Sequence, residues 1–301
     1  MQLENVEDVY PLSPTQAGML FHCISAPHTG VYVEQISCLI SGVLDQAGFE
    51  SAWREVLCRH TSLRTAFFWD GVDEPLQVVR QTVDMPWEYL DWRGKGAEEC
   101  RDALDARQTG DRQQGFELDA APLMRVTLVR LGDESYRFIW TFHHLLCDGW
   151  STAIVLDEVF SLYGAGVANR KPDLAGPRPY REYIAWLQSR EADDDLPFWR
   201  VYLKGFDAPV SLRTPRVIRR NQRQPLRGEV RAGLSLSVTS SLQDMSRELR
   251  LTMNTVVQGA WAVLLHNYSG EDDVVFGTTV SGRPAGLPGV ERSVGLFINT
   301  L

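Results

Sequence analysis

Two histidines stand side by side at positions 143 and 144, followed by Asp148 and Gly149, in the stretch FHHLLCDGW. Only six histidines occur in the 301 residues, so their adjacency is informative. Imidazole is the side chain whose charge changes most easily near neutral pH. A base beside a tight turn and a helix N-terminus can work next to a developing oxyanion, because backbone N–H groups and a positive dipole end lie close by. The bland alternative is a satisfied histidine in a strand. From average composition, the four fixed residues of H-H-x-x-x-D-G arise in a chain of this size roughly once in a thousand.

The elements around the pair decide its geometry. Leu123–Leu131 and Tyr136–His143 read as a hairpin across a Gly-Asp-Glu turn. Alternation puts Phe138, Trp140 and Phe142 on one face, with His144 continuing their parity and His143 on the other. One imidazole is then locked into the protein while the other looks into a cavity. Ser151–Tyr163 is the following helix, with Ile154, Val155, Val159, Leu162 and Tyr163 facing the sheet. Asp148 is placed to orient an imidazole or to pair with an arginine, and Gly149 to adopt a backbone conformation that a side chain would block. Cys147 lies inside the motif, but thiolate chemistry needs an activating partner that the sequence does not reveal. There is no third ligand at metal-binding spacing, no G-x-S-x-G elbow and no phosphate-binding glycine loop.

Elsewhere, Val31–Gly42 alternates as a strand with Ile36, Cys38 and Ile40 on one face. Asp45–His60 is a helix capped by Asp45, its stripe being Phe49, Ala52, Trp53, Val56 and Leu57. LRTAFFW is another strand. Residues 164–179 are rich in Gly and Pro and mark a boundary. A helical pair or kinked helix follows over Arg181–Tyr202, then an irregular stretch carrying Arg216, Arg219, Arg220, Arg223 and Arg227, read as a solvated loop or a docking patch. Helices at Thr239–Leu249 and Asn254–Tyr268 precede strands at Asp273–Val280 and Val294–Leu301. The chain stops inside the last strand pattern, as a fragment of a longer one would. The order of elements predicts an α/β two-layer sandwich.

Composition narrows the function. The apolar fraction of 44% is ordinary for a globular chain, and the net charge of −9 argues against nucleic acid as the main partner. No signal peptide or membrane span is legible. Five widely spaced cysteines with no C-x-x-C pair read as reduced thiols in a cytoplasmic protein.

At HHLLCDGW the chain resembles the condensation domains of nonribosomal peptide synthetases. YPLSPTQAGMLFH (10–22), RHTSLRTAF (59–67), YREYIAWLQ (180–188) and VGLFINTL (294–301) are similar to further motifs of that family, in family order. Thr61 stands where the family has an acidic residue. Two later motifs are absent. The resemblance implies a chloramphenicol acetyltransferase-like fold of two lobes in a V, with residues 1–175 as the N-terminal lobe and 176–301 as an incomplete C-terminal lobe.

It also implies the chemistry. An upstream carrier-bound aminoacyl or peptidyl thioester is joined to the amine of a downstream carrier-bound aminoacyl thioester. His144 takes the catalytic role. His143, Asp148 and Gly149 act beside it, Arg64 pairs with Asp148, and Trp150 and Asn299 support the site. No cofactor or metal is bound; substrates arrive on phosphopantetheine arms, and carrier proteins and neighbouring domains such as adenylation are the partners. The DGWS and SGRPAGLPG sequences are similar to those of members that accept a D-configured donor. Epimerisation domains share the histidine motif but open differently, and a catalytically silent carrier-docking module is the alternative from another class.

Overall fold

The computed structural model describes residues 4–27, 29–190, 195–206, 210 and 230–301. The arginine run at 216–227 lies outside the described residues. The chain divides into two compact units, Met1–Glu191 with Thr279–Leu301, and Ala192–Thr278. This partition differs from a division at residue 175: the segment from Thr279 onward belongs with the first unit.

The first unit is built on a four-stranded sheet. Its strands are β2 (Val33–Ser41), β5 (Trp87–Asp91), β6 (Met124–Gly132) and β7 (Ser135–His143), in the order β2-β7-β6-β5. The β6–β7 hairpin is antiparallel, as expected from its turn, and β5 joins β6 in parallel. Ile36, Cys38 and Ile40 lie opposite Trp140, Phe138 and Tyr136, so the faces read from alternation meet as one surface. Helices α2 (Gln46–Arg59) and α4 (Gly149–Val167) cover that surface. All five residues of the expected α2 stripe are buried, and Trp53 packs between Phe138 and Trp140 with ring centroids at 5.4 and 5.1 Å. Asp45 occupies the N-cap position of α2 in extended conformation, but its side chain makes no capping hydrogen bond.

Helix α3 (Ala97–Gln114) contacts β2 and β7. There the buried Asp111 accepts from Thr141 at 3.3 Å and pairs with Arg125 and Arg107 at 3.4 Å each. A second, three-stranded antiparallel sheet runs β1 (Val6–Pro11), β4 (Leu76–Arg80), β3 (Thr65–Phe68). Helix α1 (Pro14–Ser25) follows β1 behind a complete capping box, with Ser13 and Gln16 bonded reciprocally. Helix α5 (Arg181–Gln188) supplies Tyr183 and Ile184 to a smaller apolar cluster with Tyr10, Tyr180, Val290 and Phe297.

The two strands expected toward the C-terminus shorten to β8 (Thr279–Val280) and β9 (Asn299–Thr300), paired antiparallel. Much of the polar backbone of 294–297 is spent on side chains instead of a ladder. Gly295 N–H donates to Ser151 Oγ at 3.1 Å, Phe297 N–H to Asp148 Oδ2 at 3.0 Å, and the Leu296 carbonyl accepts from Tyr180 Oη at 2.6 Å. A Cβ at Gly295 would overlap the Tyr180 ring, so only glycine permits this approach.

The second unit contains α6 (Leu196–Tyr202), α7 (Leu236–Glu248) and α8 (Met253–Ser269). The α7 and α8 N-termini are capped by Ser235 and Thr252. Among the described residues no helix is long and apolar enough to cross a membrane.

Candidate active site

The two histidines occupy different environments. His143 is the last residue of β7 and is 3% exposed. Its Nδ1 accepts the Leu145 N–H at 3.2 Å, and its Nε2 lies 3.5 Å from Cys23 Sγ. Acceptance at Nδ1 puts the proton of the neutral ring on Nε2, directed at the sulfur. Tyr32 and Phe116 contact the ring edge-on, at 6.4 and 6.5 Å. Burial, reinforced by the neighbouring His144, pushes the His143 pKa down from 6.5 to about 4. This imidazole is held neutral and both its nitrogens are engaged.

His144 is past the end of the strand, in the turn. Its backbone N–H donates to the Tyr32 carbonyl at 2.8 Å, and it is only part-buried. Its Nδ1 is buried without a hydrogen-bond partner among the described residues. A polar atom so placed is costly unless something is meant to meet it. Only half of the division read from strand parity is met: one histidine is fixed, but the other does not look into the cavity, since its unused nitrogen is buried. The cavity wall beside the pair is formed by His143.

Asp148 makes structural contacts on both sides of its carboxylate. Its side chain is 1% exposed and caps α4, with Oδ1 accepting from Ser151 N–H at 2.8 Å. Its charge is met by Arg283, whose Nη2 is 3.5 Å from Oδ1. Arg283 also donates to Ser151 Oγ at 2.9 Å and to the Ser293 carbonyl at 2.9 Å, and lies 3.9 Å over the Phe297 ring. Burial lowers the Arg283 pKa against the opposing pull of Asp148.

The expected Arg64–Asp148 pair does not form. Arg64 Nη1 is directed at Glu7 at 2.7 Å and at the carbonyls of Arg80 and Gln81. The reason is topological: Arg64 precedes β3 beside β4 in the three-stranded sheet, whereas Asp148 opens α4. Gly149 is also corrected. It is the first residue of α4, its φ is not in the left-handed region, and a Cβ there would meet nothing within 4 Å. Conformation does not demand glycine at this position.

Trp150 is 53% exposed and donates its indole N–H to the Glu291 carbonyl at 3.0 Å. Asn299 is exposed in β9, where its Oδ1 accepts from Thr300 N–H at 2.9 Å and Thr15 Oγ1 at 3.4 Å. Neither Arg64 nor Asn299 shares a hydrogen bond or cavity with the histidine pair among the described residues. Cys147 is fully buried, and burial, with Asp148 and Glu34 nearby, holds its thiol well above the usual range. All five cysteines are free. Sequence reasoning missed Arg283, Ser151, Cys23 and Tyr32. Of these, Ser151 and Arg283 carried a signal, lying in the DGWS and SGRPAGLPG stretches.

The sequence profile of the condensation-domain family matches residues 6–301. A linear gramicidin synthase of Brevibacillus parabrevis is 45% identical over 296 residues, 98% of this chain and 6% of that protein. Bacitracin synthase 3 of Bacillus licheniformis is 39% identical over 296 residues, 98% of this chain and 5% of that protein. The chain therefore spans a small part of these relatives. The first condensation domain of the calcium-dependent antibiotic synthetase, solved with a substrate analogue, superposes with a TM-score of 0.79 at 21% identity, covering 99% of this chain and 69% of that one. The starter condensation domain of rhizomide synthetase RzmA superposes with a TM-score of 0.73 at 23% identity, covering 98% and 66%. At these identities the structures establish the fold, the chloramphenicol acetyltransferase-like α/β sandwich. With the motif, its strand–turn–helix setting and a family match over residues 6–301, the chain belongs to the condensation domains of the nonribosomal peptide synthetases.

Proposed function

We propose that this chain forms an amide bond between an upstream carrier-bound aminoacyl or peptidyl thioester and the α-amine of a downstream carrier-bound aminoacyl thioester. The observation that carries this reading is the contrast within the pair: His143 has both nitrogens engaged, whereas the buried Nδ1 of His144 has no partner among the described residues. The chemistry asks little of a protein beyond placement. A thioester is already activated, and an α-amine with a pKa of roughly 8 is partly neutral at pH 7. Positioning and oxyanion stabilisation supply most of the remaining acceleration.

In the step, the amine nitrogen attacks the thioester carbonyl, the C–N bond forms and the C–S bond breaks. The upstream phosphopantetheine arm leaves as a thiol, taking up in net the proton that the amine loses. His144 holds or accepts that proton in passage. Asp148 uses its carboxylate on Ser151 N–H, while the N–H groups of Gly149 and Trp150, as the first of α4, have no intrahelical acceptor. They are the donors we assign to the developing oxyanion. Arg64, Trp150 and Asn299 support the surrounding structure. The chain itself binds no cofactor in this scheme. The donor is D-configured, a reading that rests on the DGWS and SGRPAGLPG sequences.

The test is a single-turnover reaction followed by intact-protein mass spectrometry, with donor-loaded and acceptor-loaded carriers and chirality read in parallel. A dipeptidyl species on the acceptor carrier, lost in His144→Ala with carrier binding retained, is expected. An inverted donor with no new amide would replace this reading with epimerisation. Bound carriers without turnover in either protein would replace it with a docking module.

A further inference from the structure

A cavity of about 330 Å³ opens beside His143 within the first unit. Its wall is formed by Cys23, Val31, Val33, Phe116 and Leu118, with Trp69 toward solvent and His143 at its side. Gln114 and Glu117 are exposed at its edge, while Val31, Val33, Phe116 and Leu118 give it an apolar wall. The volume is at the low end of the roughly 300–1,000 Å³ of small-molecule sites. It suits one side chain rather than a carrier arm.

Two close contacts brace the lining. Gly30 has φ +66° and packs so closely on the Arg112 carbonyl that a Cβ would lie 2.6 Å from its oxygen. Arg125 sits 4.4 Å over the Phe116 ring while donating to the carbonyls of Asp111 and Gly115. The His143 ring is neutral, so no charge faces the interior from that side. The cavity also adjoins the catalytic turn: the Tyr32 carbonyl, between the two wall residues Val31 and Val33, accepts the backbone N–H of His144.

We propose that this cavity receives the aliphatic or aromatic side chain of one of the two aminoacyl thioesters and so selects an apolar residue for the amide bond. This rests on the amide-forming reading above. An apolar wall for a side chain, polar residues at the edge and a lining residue next to His144 are what a side-chain pocket beside a reacting α-carbon requires.

Two measurements on the full-length protein test it. In the first, donor and acceptor carriers are loaded in turn with glycine, leucine or tryptophan, and single-turnover rates are compared for wild type, Val31→Phe and Val31→Ala. Filling the cavity is expected to slow leucine or tryptophan on one carrier by about tenfold or more, the scale of an apolar pocket contact, while glycine is unchanged. The carrier on which the loss falls identifies the source of the side chain. Equal losses for glycine and leucine, or none on either carrier, would overturn the proposal. The second measurement needs no turnover. The rate of Cys23 alkylation by iodoacetamide is followed by peptide mapping with leucine amide or glycine amide present. Leucine amide should slow it in wild type and in Val31→Ala but not in Val31→Phe; equal rates with the two amides would overturn the pocket. Protection by leucine amide in a protein that makes no amide bond would instead retire the amide-forming reading and leave the pocket standing.

Discussion

The Asp148 carboxylate accepts the backbone N–H of Phe297 at 3.0 Å, joining residues 149 apart in sequence. The same carboxylate caps α4 through Ser151 and faces Arg283. One buried side chain therefore ties together the turn that carries His144, the helix that follows it and the segment 294–297.

A double-mutant cycle separates the two arginines proposed for Asp148. The side chains of Asp148 and Arg283 are 1% and 5% exposed. Removing one partner of such a buried pair strands the other charge and costs roughly 3–5 kcal/mol. Denaturant unfolding should therefore show Asp148→Ala and Arg283→Met each strongly destabilised, with a coupling of about 1 kcal/mol or more between them. Asp148→Ala and Arg64→Met should be additive within about 0.5 kcal/mol, because Arg64 spends its charge on Glu7. A large Arg64–Asp148 coupling would refute the geometry.

The His143 environment sets an acid limb of stability. Its folded pKa of about 4 lies below the unfolded value of 6.5. Between these values the unfolded chain binds the extra proton, so stability rises with pH there and falls on acidification from 6.5 toward 4. The full loss, reached below about pH 4, is about 3 kcal/mol from this group. Asparagine can still accept the Leu145 N–H but does not titrate. His143→Asn should therefore flatten the slope between pH 6.5 and 4, whatever its absolute stability. An unchanged slope would mean that His143 is not the buried neutral group described.

Thiol reactivity should follow burial and not the motif. Cys58 is exposed, whereas Cys147 is fully buried with its thiol pushed well above the usual range. Thiolate is the reactive form. Iodoacetamide at pH 8 should label Cys58 first and leave Cys147 unmodified until the protein is unfolded. Early labelling of Cys147 in the native fold would revive it as a nucleophile.

The local elements were readable because each had a strong period. The α2 stripe, the β6–β7 hairpin and the matched faces of β2 and β7 are all set by side-chain spacing. The partner of Asp148 was not readable, since a carboxylate in sequence does not say which of many arginines the topology will bring to it. The late strands failed for a related reason. VGLFINTL has strand composition, but Ser151, Asp148 and Tyr180 take much of the backbone bonding of 294–297, and those contacts exist only after the chain has folded. The end of β7 at His143 was legible, but the unpartnered Nδ1 of His144 in the turn beyond it was not, since hydrogen-bond partners in a turn are set by the folded surroundings.

Two glycines should respond to alanine with opposite signs. Gly149 begins α4, is exposed, and has open space where a Cβ would go. Alanine reduces the entropy of the unfolded chain and is the better helix former, so Gly149→Ala should be neutral or stabilising by up to about 1 kcal/mol. At Gly295 a Cβ would overlap the buried ring of Tyr180, whose hydroxyl is tied to the Leu296 carbonyl at 2.6 Å. The ring cannot retreat without breaking that bond, and overpacking of this kind costs about 1–3 kcal/mol. Thermal or denaturant unfolding of the two variants decides the matter. If Gly149→Ala were the more damaging, the backbone there would have to adopt a conformation other than the first turn of a helix. A stable Gly149→Ala variant with slowed turnover would place the requirement in the reaction and not in the fold, because a methyl group beside that N–H crowds whatever the amide is meant to meet.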